Sequence, residues 1–157
     1  LHLNGVVGDG QGALYLASEW GTVFVSASAG ERWQQLATGY DGSFFGVIAN
    51  PDTGTVLPYG LLGTIYRSAD RGQSWQAADS GVSASLFGAD YADGTLVFVG
   101  QGGTATVSHD DGASFQPMIQ PQRDGLYGVV VRGEGRFMAA GEGGSRALQG
   151  KARAGDS

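Results

Sequence analysis

The stretch Ser68-Ala69-Asp70-Arg71-Gly72-Gln73-Ser74-Trp75 decides the fold of this chain. It recurs as Ser108-His109-Asp110-Asp111-Gly112-Ala113-Ser114-Phe115 and, in weaker form, as Ser26-Ala27-Ser28-Ala29-Gly30-Glu31-Arg32-Trp33. The residue types suit a tight turn between two strands. A carboxylate at the third position accepts hydrogen bonds from turn N–H groups, a glycine at the fifth supplies a positive φ, and an aromatic at the eighth covers the turn. Gly30, Gly72 and Gly112 lie 42 and 40 residues apart. A constant period of about 40 residues that carries several short strands is the pattern of propeller blades.

Two further landmarks keep the same register. Gly5, Gly46, Gly88 and Gly128 each open an apolar run, and Phe45, Phe87 and Tyr127 precede the last three. Glu19-Trp20-Gly21-Thr22, Leu61-Leu62-Gly63-Thr64, Gln101-Gly102-Gly103-Thr104 and Glu142-Gly143-Gly144-Ser145 form the second series. Each unit reads as four strands of about four to six residues separated by Gly, Asn, Asp and Pro, with period-two alternation as in Thr22 to Ser26 and no capped helical stripe. The expectation is an all-β segment of a β-propeller with about four four-stranded antiparallel blades over residues 1–149. The blades run about 1–39, 40–81, 82–121 and 122–149. In the fourth, Lys151 and Arg153 fall where the turn aspartate and glycine belong, so that blade lacks its outer strand and residues 150–157 read as a polar tail.

Composition narrows the chemistry. The 29 glycines sit at repeated turn positions in a chain that is 41% hydrophobic, which is a folded β protein rather than a disordered one. The net charge is −6 and Lys151 is the single lysine, so a nucleic-acid partner is not expected, and no apolar run is long enough for membrane insertion as a helix. There is no cysteine, hence no disulfide and no thiolate metal site. His2 and His109 have no ligand spacing, so neither metal nor cofactor is expected. Gly8-Asp9-Gly10-Gln11-Gly12 lacks the lysine and helix of a phosphate loop and reads as a turn between two strands.

The turn motifs resemble the BNR, or Asp-box, repeat class of β-propellers over about residues 1–149. The run Gly60-Leu61-Leu62-Gly63-Thr64-Ile65-Tyr66-Arg67-Ser68 ahead of the Asp70 turn is most similar to the photosystem II stability and assembly factor-like propellers. Repeat three lacks the Ile-x-Arg portion, repeat one has Ser28 for the aspartate, and repeat four has no turn motif. The resemblance implies a structural role for Ser26, Gly30, Trp33, Ser68, Asp70, Gly72, Trp75, Ser108, Asp110, Gly112 and Phe115, on the face opposite any active site. It implies a scaffold that assists assembly or stability of a protein complex, in an exported compartment such as a periplasm or lumen.

A non-catalytic binding propeller is therefore the leading expectation, with a protein partner held by the loop face. Trp20, Tyr40 and Tyr59 are the aromatic candidates and Glu19, Arg123 and Glu142 the polar ones. Packing between neighbouring blades is the competing expectation for Trp20 and Tyr59. The alternative function is a carbohydrate-active Asp-box propeller, sialidase-like or endoglucanase-like, or a glycan binder. Against catalysis, Arg32 and Arg71 lie inside the turn motifs, and Asp41, Asp90 and Asp124 read as solvated turn residues rather than a facing pair of carboxylates. Because a propeller must close, either a longer parent chain supplies further blades or copies of this chain pair as a homodimer.

Overall fold

The computed structural model describes residues 3–149, and the alternation of the repeat becomes fifteen strands in them. The first sheet holds β1 (Leu3–Gly8), β2 (Leu14–Ser18), β3 (Thr22–Ser26) and β4 (Gln34–Ala37). The second holds β5 (Phe44–Ala49), β6 (Val56–Gly60), β7 (Ile65–Arg67) and β8 (Gln76–Ala78). The third holds β9 (Leu86–Ala92), β10 (Thr95–Gly100), β11 (Ala105–Ser108) and β12 (Gln116–Pro117). The fourth holds β13 (Leu126–Arg132), β14 (Arg136–Gly141) and β15 (Gly144–Ala147), three strands among the described residues. Strands follow chain order in every sheet, as antiparallel meanders. His2 and the polar tail at 150–157 lie outside the described residues.

A four-stranded meander has two ends. The hairpin joining its first two strands and the aspartate turn joining its last two lie at one, here termed the turn end. The connection between its middle strands and the passage into the next sheet lie at the other, the loop end.

The chain forms two compact units, one of residues up to 61 with 65–77 and one of 62–64 with the residues from 78 on. In the first, the alternating inward residues Tyr15, Ala17 and Val23 pack against Phe44, Val47 and Val56 of the second sheet. In the other, Val97, Val99, Ala105 and Val107 of the third sheet meet Leu126, Phe137 and Ala139 of the fourth. Tyr15, Phe44, Phe137 and Leu126 are fully buried, each contributing roughly 1.5–3 kcal/mol of apolar transfer free energy.

Backbone crowding accounts for both glycine landmarks. A Cβ on Gly5 would stand 3.1 Å from the Cα of Gly46, and one on Gly88 the same distance from the Cα of Gly128, so the first strands of the first and second sheets, and those of the third and fourth, touch through glycine. Gly21, Gly63 and Gly103 have φ of 64°, 76° and 75°, and the chain entering the next sheet crosses directly over them. A Cβ there would lie 1.7 Å from Tyr40 O, 2.1 Å from Val82 O and 2.3 Å from Gln122 O respectively. Only glycine permits both that φ and that approach. The carbonyls of Gly21 and Gly63 also accept the hydroxyls of Thr38 (2.7 Å) and Ser80 (2.6 Å), which anchors the crossing segment to the turn beneath it.

Candidate functional site

At the turn end, the two complete motifs share one hydrogen-bond pattern. The Ser68 hydroxyl accepts the Gly72 N–H (2.8 Å) and donates to Asp70 Oδ1 (2.8 Å), which also accepts the Ser74 N–H (2.8 Å), while Ser74 Oγ donates to Asp70 Oδ2 (2.5 Å). Ser108, Asp110, Gly112 and Ser114 repeat this arrangement bond for bond. The Ser74 hydroxyl and N–H, with the Ser68 hydroxyl, hold the Asp70 carboxyl down at about 2. Desolvation works to raise the Asp110 carboxyl, but the bonds from Ser114 and Ser108 outweigh it and leave it below the ordinary value. In the degenerate repeat, Ser28 Oγ takes the carboxylate's place and accepts the Arg32 N–H (2.8 Å), while Ser26 Oγ accepts from Gly30 (2.9 Å). Gly30, Gly72 and Gly112 have φ of 90°, 87° and 83°, and the residue before each, Ala29, Arg71 or Asp111, is also left-handed. Trp33 closes its turn by donating Nε1–H to Gly30 O (3.0 Å). Both carboxylate oxygens of Asp70 and of Asp110 are engaged within their own turns.

Of the expected loop-face residues in the first unit, Trp20 is 71% exposed. Glu19 beside it is half-buried. Tyr59 takes the packed placement, the competing one for this residue. It is buried, its ring lies over Gly46 where a Cβ would be 2.3 Å from Oη, and burial pushes its phenol up to about 12. Tyr40 is likewise drawn inward, with its ring 5.2 Å from that of Phe44 and 5.5 Å from that of Tyr66. Tyr59 is thus buried against its own sheet, while Tyr40 is half-buried and stacks on Phe44 and Tyr66.

In the second unit, the structure assembles a cavity of about 330 Å³ at the loop end of the third sheet. Val82, Pro117, Met118 and Ile119 form its apolar lining, the Gly102-Gly103 backbone one edge, and Arg123 contributes the cationic group. The surrounding backbone is tied down: Gln101 N–H to Ser85 O (2.9 Å), Met118 N–H to Ala105 O (2.9 Å), Gln120 Nε2 to Gln149 O (2.6 Å) and Thr106 Oγ1 to Ser80 O (2.7 Å). Ile119 is 87% exposed. Glu142 accepts the Tyr127 hydroxyl (2.9 Å) and the Gly125 N–H (3.3 Å), and that bond with the carboxylate charge raises the Tyr127 phenol.

Sequence reasoning missed Ile119 and Leu62, the latter 74% exposed with φ 53°. Leu62 occupies in its own sheet the turn position that Trp20, φ 62°, occupies in the first, whereas the third sheet has Gly102 there. A bulky residue held left-handed and exposed is uncommon. Asp90, expected in a solvated turn, lies in β9 and accepts the Val131 N–H of β13 (2.7 Å), so it ties two sheets together. Asp41 and Asp124 are exposed, and Asp124 stands 3.8 Å from the Arg146 guanidinium. His109 contacts Thr95 Oγ1 (3.3 Å), and no cluster of three metal-ligating side chains occurs among the described residues.

No family model and no curated protein matches the chain. Among solved structures, YCF48 bound to D1 peptide matches with a TM-score of 0.67 and 19% identity, over 94% of this chain and 49% of that one. An ancestral GH74 enzyme matches at 0.78 and 17%, over 93% and 22%. U3-55K matches at 0.78 and 11%, over 94% and 48%. This chain thus spans about half the length of the YCF48 and U3-55K chains and about a fifth of the GH74 enzyme's. At these identities the likeness is one of fold. The chain has the sheet architecture of β-propellers, YCF48 among them, in agreement with the resemblance carried by its turn motifs.

Proposed function

We propose that this chain is a non-catalytic, protein-binding propeller segment whose loop end takes an extended segment of a partner protein and so assists the assembly or stability of a protein complex. The observation that carries this reading is the cavity of the second unit. It combines an apolar lining, an exposed isoleucine and one guanidinium on a backbone fixed by its own hydrogen bonds. Such a cavity suits one apolar side chain of a peptide, with Arg123 facing a neighbouring carboxylate or carbonyl, and pre-organisation keeps the ordering cost on the protein side small. YCF48 bound to D1 peptide gives a precedent for peptide binding on a related fold. The turn-end carboxylates are satisfied within their turns, which supports assigning Asp70 and Asp110 to structure.

The test is selection of displayed random peptides against the chain, followed by titration of the enriched peptide. Enrichment of sequences that join an apolar to an acidic residue is expected. Arg123→Glu should weaken binding about 10-fold or more, as expected for loss of a charge-assisted contact. Failure to enrich any peptide, together with release of sugar from a β-glucan or sialoside, would overturn the reading.

A further inference from the structure

Three buried polar atoms of the first unit have no hydrogen-bond partner in the protein: Asp9 Oδ2, Tyr15 Oη and Trp75 Nε1. Asp9 and Tyr15 are fully buried, and Trp75 is half-buried with its Nε1 covered. The other oxygen of Asp9 is occupied, since Oδ1 accepts the N–H groups of Gln11 (2.7 Å) and Ala13 (3.1 Å). Trp33, at the same motif position as Trp75, donates its Nε1–H to Gly30 O, whereas Trp75 makes no such bond. A buried polar group left unpaired is costly, so each of these atoms calls for a partner.

The fold brings the three to one place. Val7 pairs with Tyr15, and the Asp9 N–H bonds to Ala13 O, so strand alternation puts Val7, Asp9, Ala13 and Tyr15 on one face. That face packs on the second sheet, and the Trp75 ring rests on the same cluster. Arg71, in the turn that Trp75 closes, reaches across to the first sheet, its Nη2 donating to Gln11 Oε1 at 2.8 Å. Burial first, and then the Asp9 charge, raises the Tyr15 phenol while Arg71 works to lower it, so both charges lie within electrostatic reach of the hydroxyl. By the repeat, Tyr15 stands where the other sheets have Leu57, Val97 and Met138, so its hydroxyl is particular to this joint.

We infer that one internal water molecule is bound here, accepting the Trp75 indole N–H and donating to Asp9 Oδ2, with the Tyr15 hydroxyl as its third partner. The polarity of the set selects the occupant. An indole N–H needs an acceptor, and a carboxylate oxygen needs a donor. A cation cannot accept from Trp75, and an anion would be repelled by Asp9. Water does both, and about three partners is usual for an internal one. Asp9 and Tyr15 come from the first sheet and Trp75 from the turn of the second, so this water joins the two sheets by hydrogen bonds within their apolar contact.

Nuclear and rotating-frame Overhauser spectra of the chain labelled with ¹⁵N at tryptophan test this. The Trp75 indole proton should show water cross-peaks of opposite sign in the two experiments, the mark of a water held far longer than surface water. The exposed Trp20 indole supplies the surface comparison. Tyr15→Phe removes the phenol proton, which could relay the signal, and leaves the water two partners, so the Trp75 cross-peaks should persist in that variant. Their absence from the unmodified chain would overturn the inference, as would their loss in a folded Tyr15→Phe variant. Should that variant not fold, a high-resolution crystal structure of the unmodified chain decides: a water oxygen bonded to Asp9, Tyr15 and Trp75 is expected, and direct bonds among the three side chains would overturn it.

Discussion

At the residue scale, the serine that opens each motif does as much as the aspartate that names the turn. Ser68 is 1% exposed, and its hydroxyl both accepts the Gly72 N–H and donates to Asp70. Ser68→Ala should lower unfolding free energy by about 1–2 kcal/mol, the scale of a buried donor left without its acceptor, as measured by urea denaturation. Asp70 predicts a pH effect. Its folded carboxyl titrates at about 2 against an ordinary 3.8, so its stabilisation is complete above the ordinary value and is lost as the pH falls toward 2. Asp70→Asn should therefore melt below the parent at neutral pH and lose less of its midpoint between those two pH values, which thermal melts in a pH series will show. The degenerate turn offers the converse: Ser28→Asp with Arg32→Ser restores the acceptor and hydroxyl found in the other two turns and should gain about 0.5–1 kcal/mol.

At the element scale, the middle turn of each of the first three sheets is fixed by what crosses it. Gly103 and Gly102 both have positive φ, yet only Gly103 lies beneath a carbonyl, that of Gln122. Gly103→Ala should cost about 2 kcal/mol or more and Gly102→Ala about 1 kcal/mol, measured by the same unfolding titration. This distinction also marks what could be read beforehand. The recurrence of Gly21, Gly63 and Gly103 was visible as a pattern, and the turn chemistry of Ser68 to Trp75 follows from residue types alone. Which of its two placements Tyr59 takes, and the stacking of Tyr40 on Phe44 and Tyr66, was not visible, because period-two alternation says which residues share a face and does not say which face is covered. Leu62 escaped notice for another reason: its turn position belongs by propensity to glycine, and nothing local to the sequence marks a leucine held there at positive φ. Asp90 shows the same limit, since a carboxylate two residues after a glycine reads as a turn until the neighbouring strand places a backbone N–H against it.

At the scale of the whole molecule, a repeat built from interchangeable sheets separates stability from recognition. The aspartate turns engage both carboxylate oxygens of Asp70 and Asp110 internally, while the loop end of the second unit presents Ile119 and Arg123 outward from a fixed backbone. Substitutions at the two ends should therefore divide cleanly, those in the turns altering melting and those at the cavity altering binding. The most direct measurement is an NMR titration of the amide-labelled chain with a peptide selected against it. Shifts concentrated at Val82, Gly102 to Ala105 and Ile119 to Arg123, with Ser68 to Trp75 and Ser108 to Phe115 unmoved, are what the account predicts. Shifts concentrated in the aspartate turns, with the cavity silent, would contradict it.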